Sequence, residues 1–192
     1  MESSRAFESY LVRFAGNSTD DELRSVVGAF TKSAFKKGDI LVSEGKPCRW
    51  FCFVESGILQ HAVSIDGKQQ TTYLALRNSA TSSLESFLNK TPSRKDIRAL
   101  TDCVLWTIGL EDFIRLRQEN DTFRRFYYNL IERQICLIDD YRIDLLSLTP
   151  EARYQKLLET EPVLIREVPL HYLASFLGIS QRHMSRIRAS VK

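Results

Sequence analysis

The chain has 192 residues, 43% of them hydrophobic, enough to bury one large core or two modest ones. Its 27 basic and 24 acidic side chains leave a net charge of +3, too small on its own to imply a nucleic-acid partner. No stretch approaches the roughly 20 apolar residues that cross a bilayer, and the opening MESSRAFESY carries acids but no apolar signal core, so a cytoplasmic protein is expected.

Thr19 and Glu22 have capping-box spacing ahead of Leu23, Val26, Val27 and Phe30, which predicts a short helix before the main domain. Between about Lys32 and Ile108 the period becomes that of short strands broken by turn signals. Ile40–Val42 follows KKGD, Trp50–Glu55 follows SEGKP, Ile58–Ser64 follows Ser56-Gly57, and Lys68–Leu76 follows Asp66-Gly67. Lys95–Leu100 and Cys103–Ile108 complete the set. Repeated short strands at this spacing indicate a sandwich, jelly roll or barrel. Asp66-Gly67 is the firmest turn, because both central residues of a type I′ hairpin need positive φ.

After Ile108 the pattern is helical. Glu111–Arg117 is a short candidate, and Thr122 to Ser147 runs for roughly seven turns without Pro or Gly. Phe123, Tyr127, Leu130, Gln134, Leu137, Tyr141, Asp144 and Leu148 alternate steps of four and three, the seam of a coiled coil with two polar interruptions. Phe126, Ile131, Ile135, Ile138 and Ile143 lie off that seam and also need cover, so one helix shared between the β domain and a partner chain would satisfy both faces. Packing on its own β domain alone is the alternative. Thr149-Pro150-Glu151 then restarts the chain with a cap, a proline suited to the first helical position and an acid in the first turn. Ala152–Glu159 is therefore a new helix, and Leu148–Pro150 a domain boundary, dividing 1–148 from 149–192.

The last stretch, LHYLASFLGISQRHMSRIR (Leu170–Arg188), keeps helical apolar spacing on both sides of Gly178. Leu170, Leu173, Ala174 and Leu177 precede the glycine; Ile179, Met184 and Ile187 follow it. Glycine enters the left-handed geometry of a sharp turn at little cost, and Ser180 offers a cap to the second helix. From Val168 to Lys192 there are no acids, while Arg182, Arg186, Arg188 and Lys192 are basic. A solvated terminal helix would look the same by charge alone, but with the glycine hinge the pattern reads as a helix-turn-helix.

In this order the elements resemble the Crp/Fnr family of bacterial transcription regulators, over nearly the whole chain. FKKGDILVSEGKPCRWFCFVESGIL (Phe35–Leu59) resembles the first strands of that family's cyclic-nucleotide-binding-type jelly roll, and the final stretch resembles its DNA-binding helices. The resemblance implies an α+β chain: a jelly roll over about 32–108, a long dimerisation helix over about 122–147 and a C-terminal helix-turn-helix. It implies a homodimer whose interface includes Phe123, Tyr127, Leu130, Leu137 and Tyr141. Following the capping Ser180, Gln181 and Arg182 fall where the family makes its first base contacts, and Arg186 falls one turn on. Glutamine suits adenine and arginine suits guanine in the major groove. His183, Ser185 and Arg188 suit phosphates. The family commonly continues into a hairpin wing, but only four residues follow Arg188, so wing contacts are expected to be missing.

The sensory half departs from the cyclic-AMP-binding pattern. Members that bind it carry Gly-Glu and, about ten residues later, Arg with Ser or Thr. SATSSLESFLNKTPSRKDIRAL (Ser79–Leu100) has Ser82-Ser83-Leu84 for the first pair, a displaced Glu85, and the reversed order Ser93-Arg94. Ile138-Asp139 stands where such members offer hydroxyls to the adenine. Cyclic AMP is therefore not expected; Ser83, Glu85, Ser93 and Arg94 remain the candidate effector residues, with an exposed loop arginine the favoured account of Arg94 and an anion contact the other.

Cys48, Cys52, Cys103 and Cys136 do not suggest a disulfide scaffold in a chain this long. The oxygen-sensing members of the family it resembles hold an iron–sulfur cluster mostly through cysteines near the N-terminus, and this chain has none before Cys48, so no cluster is expected. His61 is the only histidine in the β region, too few for a cupin-type metal site, so no enzyme, metal or cofactor is expected. Expected partners are double-stranded DNA, a second copy and an unidentified small molecule, with RNA polymerase a further candidate and no membrane. The rival reading is a small-molecule or interaction module with a vestigial helix-turn-helix; constitutive DNA binding is a third.

Overall fold

A computed structural model describes residues 5–190. Helix α1 (Arg5–Ala15) opens the chain, where no helix is predicted from the sequence; α2 (Asp20–Gly28) follows, with both halves of the Thr19–Glu22 capping box formed. The strands are β1 (Thr31–Phe35), β2 (Ile40–Val42), β3 (Phe51–Ser56), β4 (Leu59–Ile65), β5 (Lys68–Ala75) and β6 (Ser79–Thr81). After the short helix α3 (Leu84–Asn89) come β7 (Asp96–Ala99) and β8 (Cys103–Ile108). Two four-stranded antiparallel sheets result, ordered β1-β8-β3-β6 and β2-β7-β4-β5. The β4–β5 hairpin turns at Asp66 and Gly67, with φ of 50° and 72°, as the paired signal requires. Gly57 holds φ +92° where a Cβ would meet the Asp102 carbonyl at 2.5 Å, so no other residue fits between β3 and β4 without moving β8.

Register decides which side chains face each other. Val54 pairs Leu105, and Leu59 pairs Ala75 and Ala99, filling the space between the sheets. The outward face of β3 and β8 is covered by helices. Phe7 of α1 stacks on Phe53 at 4.8 Å between ring centroids, and Phe51 meets Phe113 at 5.2 Å. Phe113 lies on α4 (Leu110–Glu119) and meets Phe123 of α5 (Asp121–Ser147) at 5.3 Å. Each such buried ring contributes about 1.5–3 kcal/mol.

Four further helices follow: α6 (Pro150–Thr160), α7 (Pro162–Glu167), α8 (Leu170–Phe176) and α9 (Gln181–Ser190). Thr149 caps α6 through the Ala152 amide at 3.2 Å. These helices bury Tyr154, Leu164, Leu173, Leu177, Met184 and Ile187 together with Leu74 of β5 and with Ile58 and Leu100, which flank the paired ends of β4 and β7. The β sandwich, long helix and C-terminal helices are thus arranged as the sequence implies.

The seam assigned to α5 needs correction. Phe123 and Leu130 are 0% and 2% exposed, inside this chain's own core, where a partner cannot reach them. Tyr127 is half-buried against Phe51 and Phe113, and Tyr141 stacks on Phe176 while its hydroxyl donates to the Phe176 carbonyl at 2.6 Å. Of the five residues, only Leu137 is exposed. The four-three count that begins at Phe123 traces the face turned to the jelly roll and, later, to the C-terminal helices. The open apolar face is rotated from it and carries Tyr128, Ile135, Ile138 and Leu145, with Ile131 half-buried on the same line.

Candidate nucleic-acid interface and effector region

Gly178 sits at φ +69°, and Ser180 caps α9 by accepting from the His183 amide at 3.2 Å. Met184 and Ile187 anchor one side of α9 in the apolar cluster shared with α6–α8. Period 3.6 then turns the rest outward: Gln181, Arg182, Ser185, Arg186 and Arg188 are exposed. The Ser185 hydroxyl donates back to the Gln181 carbonyl at 3.0 Å, leaving its oxygen free to accept only. His183 is turned aside, its Nε2 lying 2.9 Å from Oε1 of Glu151 in the first turn of α6. The Glu151 backbone amide first, then the His183 bond and the Thr149 cap hydroxyl, hold the Glu151 carboxyl below its usual range. Lys192, the last residue of the predicted basic patch, lies outside the described residues. The α9 surface is a cationic strip without a carboxylate of its own, on a helix slim enough for a major groove.

In the jelly roll, Ser83 and Ser93 are brought together: both are buried, and their hydroxyls lie 2.9 Å apart. Glu85 and Arg94 instead point to solvent. The interior residues that sequence reasoning missed are Lys95, Thr81 and, as a polar group, His61. His61 pairs with Ile97 and Tyr73 in register, which turns it inward; it is 1% exposed, with Nε2 2.8 Å from the Thr81 hydroxyl. Its Nδ1 is buried and has no partner among the described residues. Burial first, then the Lys95 charge, holds the His61 pKa well below the ordinary value. Lys95 is half-buried in the bend just before β7, two positions ahead of inward-facing Ile97; burial lowers its pKa too. The alternation Lys95, Ile97, Ala99 was the available signal. Beside this cluster, the Cys48 amide donates to Ser86 at 2.8 Å, and Cys52 is fully enclosed, which pushes its thiol pKa up.

Residues 32–120 match the family model of the cyclic nucleotide-binding domain. This domain holds every strand except the first residue of β1, and the candidate effector loop lies inside it. Nothing among curated proteins matches the chain. Among solved structures, FixK2 from Bradyrhizobium japonicum is 15% identical with a TM-score of 0.72, over 84% of this chain and 84% of that one. The c-di-GMP responsive global regulator CLP of Xanthomonas campestris is 17% identical with a TM-score of 0.68, over 90% and 91%. The catabolite activator protein of Thermus thermophilus is 20% identical with a TM-score of 0.59, over 95% and 86%. At these identities the likeness is one of fold, and it extends past the cyclic nucleotide-binding domain into the C-terminal helices. No helix of the described residues is long and apolar enough to cross a membrane.

Proposed function

We propose that the protein is a homodimeric, sequence-specific transcription regulator of the Crp/Fnr type, acting in the bacterial cytoplasm. Residues 149–192 are its DNA-binding unit and residues 1–148 its sensory and dimerisation unit. The observation that carries this reading is the outward face of α9, where Gln181, Arg182, Ser185, Arg186 and Arg188 stand exposed beyond a positive-φ glycine hinge. Gln181, Arg182 and Arg186 read bases; Ser180 and Arg188 position the backbone, and Ser185 joins them once its hydroxyl turns from the Gln181 carbonyl. Two of the fold neighbours are named as a global regulator and a catabolite activator, which supports the same class. RNA polymerase is the partner such a regulator would engage.

The effector in this reading is a small molecule other than cyclic AMP, taken by the cyclic nucleotide-binding domain near Ser83 and Ser93. The paired hydroxyls already satisfy one another, and the two charged candidates, Glu85 and Arg94, face solvent.

Selection of bound duplexes from a random pool tests the DNA reading. A dimer should enrich an inverted repeat with half-sites about one helical turn, roughly 34 Å, apart. Arg182→Ala or Arg186→Ala should cost about 1–3 kcal/mol on the enriched site and relax one base position. Arg188→Ala should weaken all sequences alike and lower the salt slope by about one unit. Equal losses on enriched and random DNA for Arg182→Ala and Arg186→Ala would sink the assignment of base contacts.

A further inference from the structure

A carboxylate stands beside the reading helix. Glu151 is half-exposed, carries one negative charge, and bonds His183 in the first turn of α9. A carboxylate in that place repels an approaching phosphodiester unless a cation balances it. Arg186 lines the same cleft with His183, Glu151, Ile187 and Ser190. The other charged groups nearby are engaged or distant in kind. Arg153 of α6 donates to the carbonyls of Leu145 and Leu177, and Lys156 bonds Asp144. Helix α8 contributes no carboxylate, only His171 and Tyr172 as titratable groups.

The bond also fixes the tautomer of the ring. An ionised carboxylate only accepts, so Nε2 of His183 must carry the hydrogen. In the neutral ring Nδ1 is then a bare acceptor. Among the described residues it has no hydrogen-bond partner, and it is not buried. A phosphate oxygen is also only an acceptor, so neutral His183 and a DNA backbone have no hydrogen bond to share. Adding a proton at Nδ1 changes both matters together: the ring becomes a donor to phosphate, and its charge cancels that of Glu151.

Resting on the DNA-binding reading above, we infer that Glu151 is a positioning residue for the interface, acting through His183. It makes His183 a phosphate contact only in the imidazolium form, so that DNA binding takes up one proton from solvent at Nδ1. Affinity then falls as pH rises, by up to about tenfold per unit for a single linked proton.

The experiment measures binding of the full chain to a fluorescent duplex, enriched from a random pool at pH 6.0, by anisotropy between pH 6.0 and 8.0 at constant ionic strength. Wild-type protein should weaken several-fold across that range. His183→Gln should bind at pH 6.0 about as weakly as wild type does at pH 8.0, with a flat profile. Glu151→Gln is the discriminating variant. Its amide can donate to Nε2, which frees the Nδ1–H tautomer while the ring is neutral, so affinity at pH 8.0 should rise and the pH slope shrink. A purely structural role would lower affinity at every pH instead. Thermal melts of each variant confirm folding. A flat wild-type profile, a slope that survives His183→Gln, or an unchanged slope in Glu151→Gln overturns the inference while leaving DNA binding intact. No binding to any duplex at any pH overturns both.

Discussion

His61 shows what a single residue contributes to this fold. In an unfolded chain a histidine protonates near pH 6.5. In the folded chain His61 stays neutral well below that, because burial and the Lys95 charge oppose the imidazolium. The folded state therefore binds fewer protons than the unfolded one in that window. Stability is fully present above about pH 6.5 and is lost as pH falls from there toward the depressed folded value. The limit is about 1.4 kcal/mol per pH unit for one group. His61→Gln keeps a hydrogen-bonding partner for Thr81 but cannot titrate. Urea unfolding at pH 7.5, 6.5 and 5.5 should show wild type losing about 1 kcal/mol more than the variant over the last unit. Parallel losses in the two proteins would mean that the exposed titratable groups carry the acid sensitivity.

The interior polar cluster was only partly legible in the sequence. Ser83 and Ser93 could be found by their resemblance to a known loop, and they do meet. Glu85 and Arg94 came from the same comparison, yet the first turn of α3 and the bend before β7 leave them facing solvent. Lys95 and Thr81 carry no motif. Thr81 turns inward by alternation along β6, and Lys95 is half-buried in the bend before β7. Both depend on strand limits the sequence left uncertain, and a shift of one residue reverses every face.

Helix α5 illustrates the same difficulty at the scale of an element. Its existence and length follow from an unbroken run without helix breakers, but its 27 residues carry apolar side chains on more than one face. Phe123, Phe126 and Leu130 belong to the jelly-roll side, while Tyr128, Ile135 and Ile138 stay open, Ile138 at 66% exposure. A strip of this kind on a long helix is what a second copy would cover. Ile138→Glu should thus yield a folded monomer in sedimentation with little change in melting temperature. Leu130→Glu should unfold the protein, because the charge would enter a packed core. A dimer that persists in Ile138→Glu would move the interface to another surface.

Helix α1 was missed for a related reason. Its apolar residues Phe7, Tyr10 and Leu11 fall in the first turns of a sequence that also holds acids and serines. What orders it is the jelly roll it covers. The Tyr10 hydroxyl accepts the Ala80 amide of edge strand β6 at 3.1 Å, and its burial raises the Tyr10 pKa to about 12.

At the scale of the whole molecule, the C-terminal helices are seated on the cyclic nucleotide-binding domain rather than tethered beyond it. Ser175 of α8 accepts the Thr71 amide of edge strand β5 at 2.8 Å, as Tyr10 does for edge strand β6 of the other sheet. Arg77 reaches Glu167, and Leu74 on β5 enters the same apolar cluster as Leu173. Strands β4 and β5 therefore carry His61 and Tyr73 on their inner face and the C-terminal helices on their outer face. Ser175→Ala removes one bond worth about 1 kcal/mol. Amide exchange at Thr71 should accelerate, and proteolysis between α5 and α6 should become faster, without loss of the jelly roll. Unchanged exchange at Thr71 would mean that apolar contact alone seats the helices.

By itself the sequence determined the strand-rich centre, the Asp66-Gly67 and Gly178 turns, the capping box, the Thr149-Pro150 restart and the basic, acid-free final helix. Each is a local signal, encoded within a few residues by backbone sterics, capping chemistry or side-chain period, and needs no knowledge of the rest of the chain. Tertiary structure alone decided which face of α5 is spent on the core, that α1 forms, that His61 meets Thr81 inside the sandwich, and that Glu151 reaches His183 from another helix. Those outcomes depend on pairing register and on contacts between residues far apart in sequence, such as the 32 positions separating Glu151 from His183. Such contacts leave no periodicity to read, because their energy comes from neighbours that only the folded chain brings together.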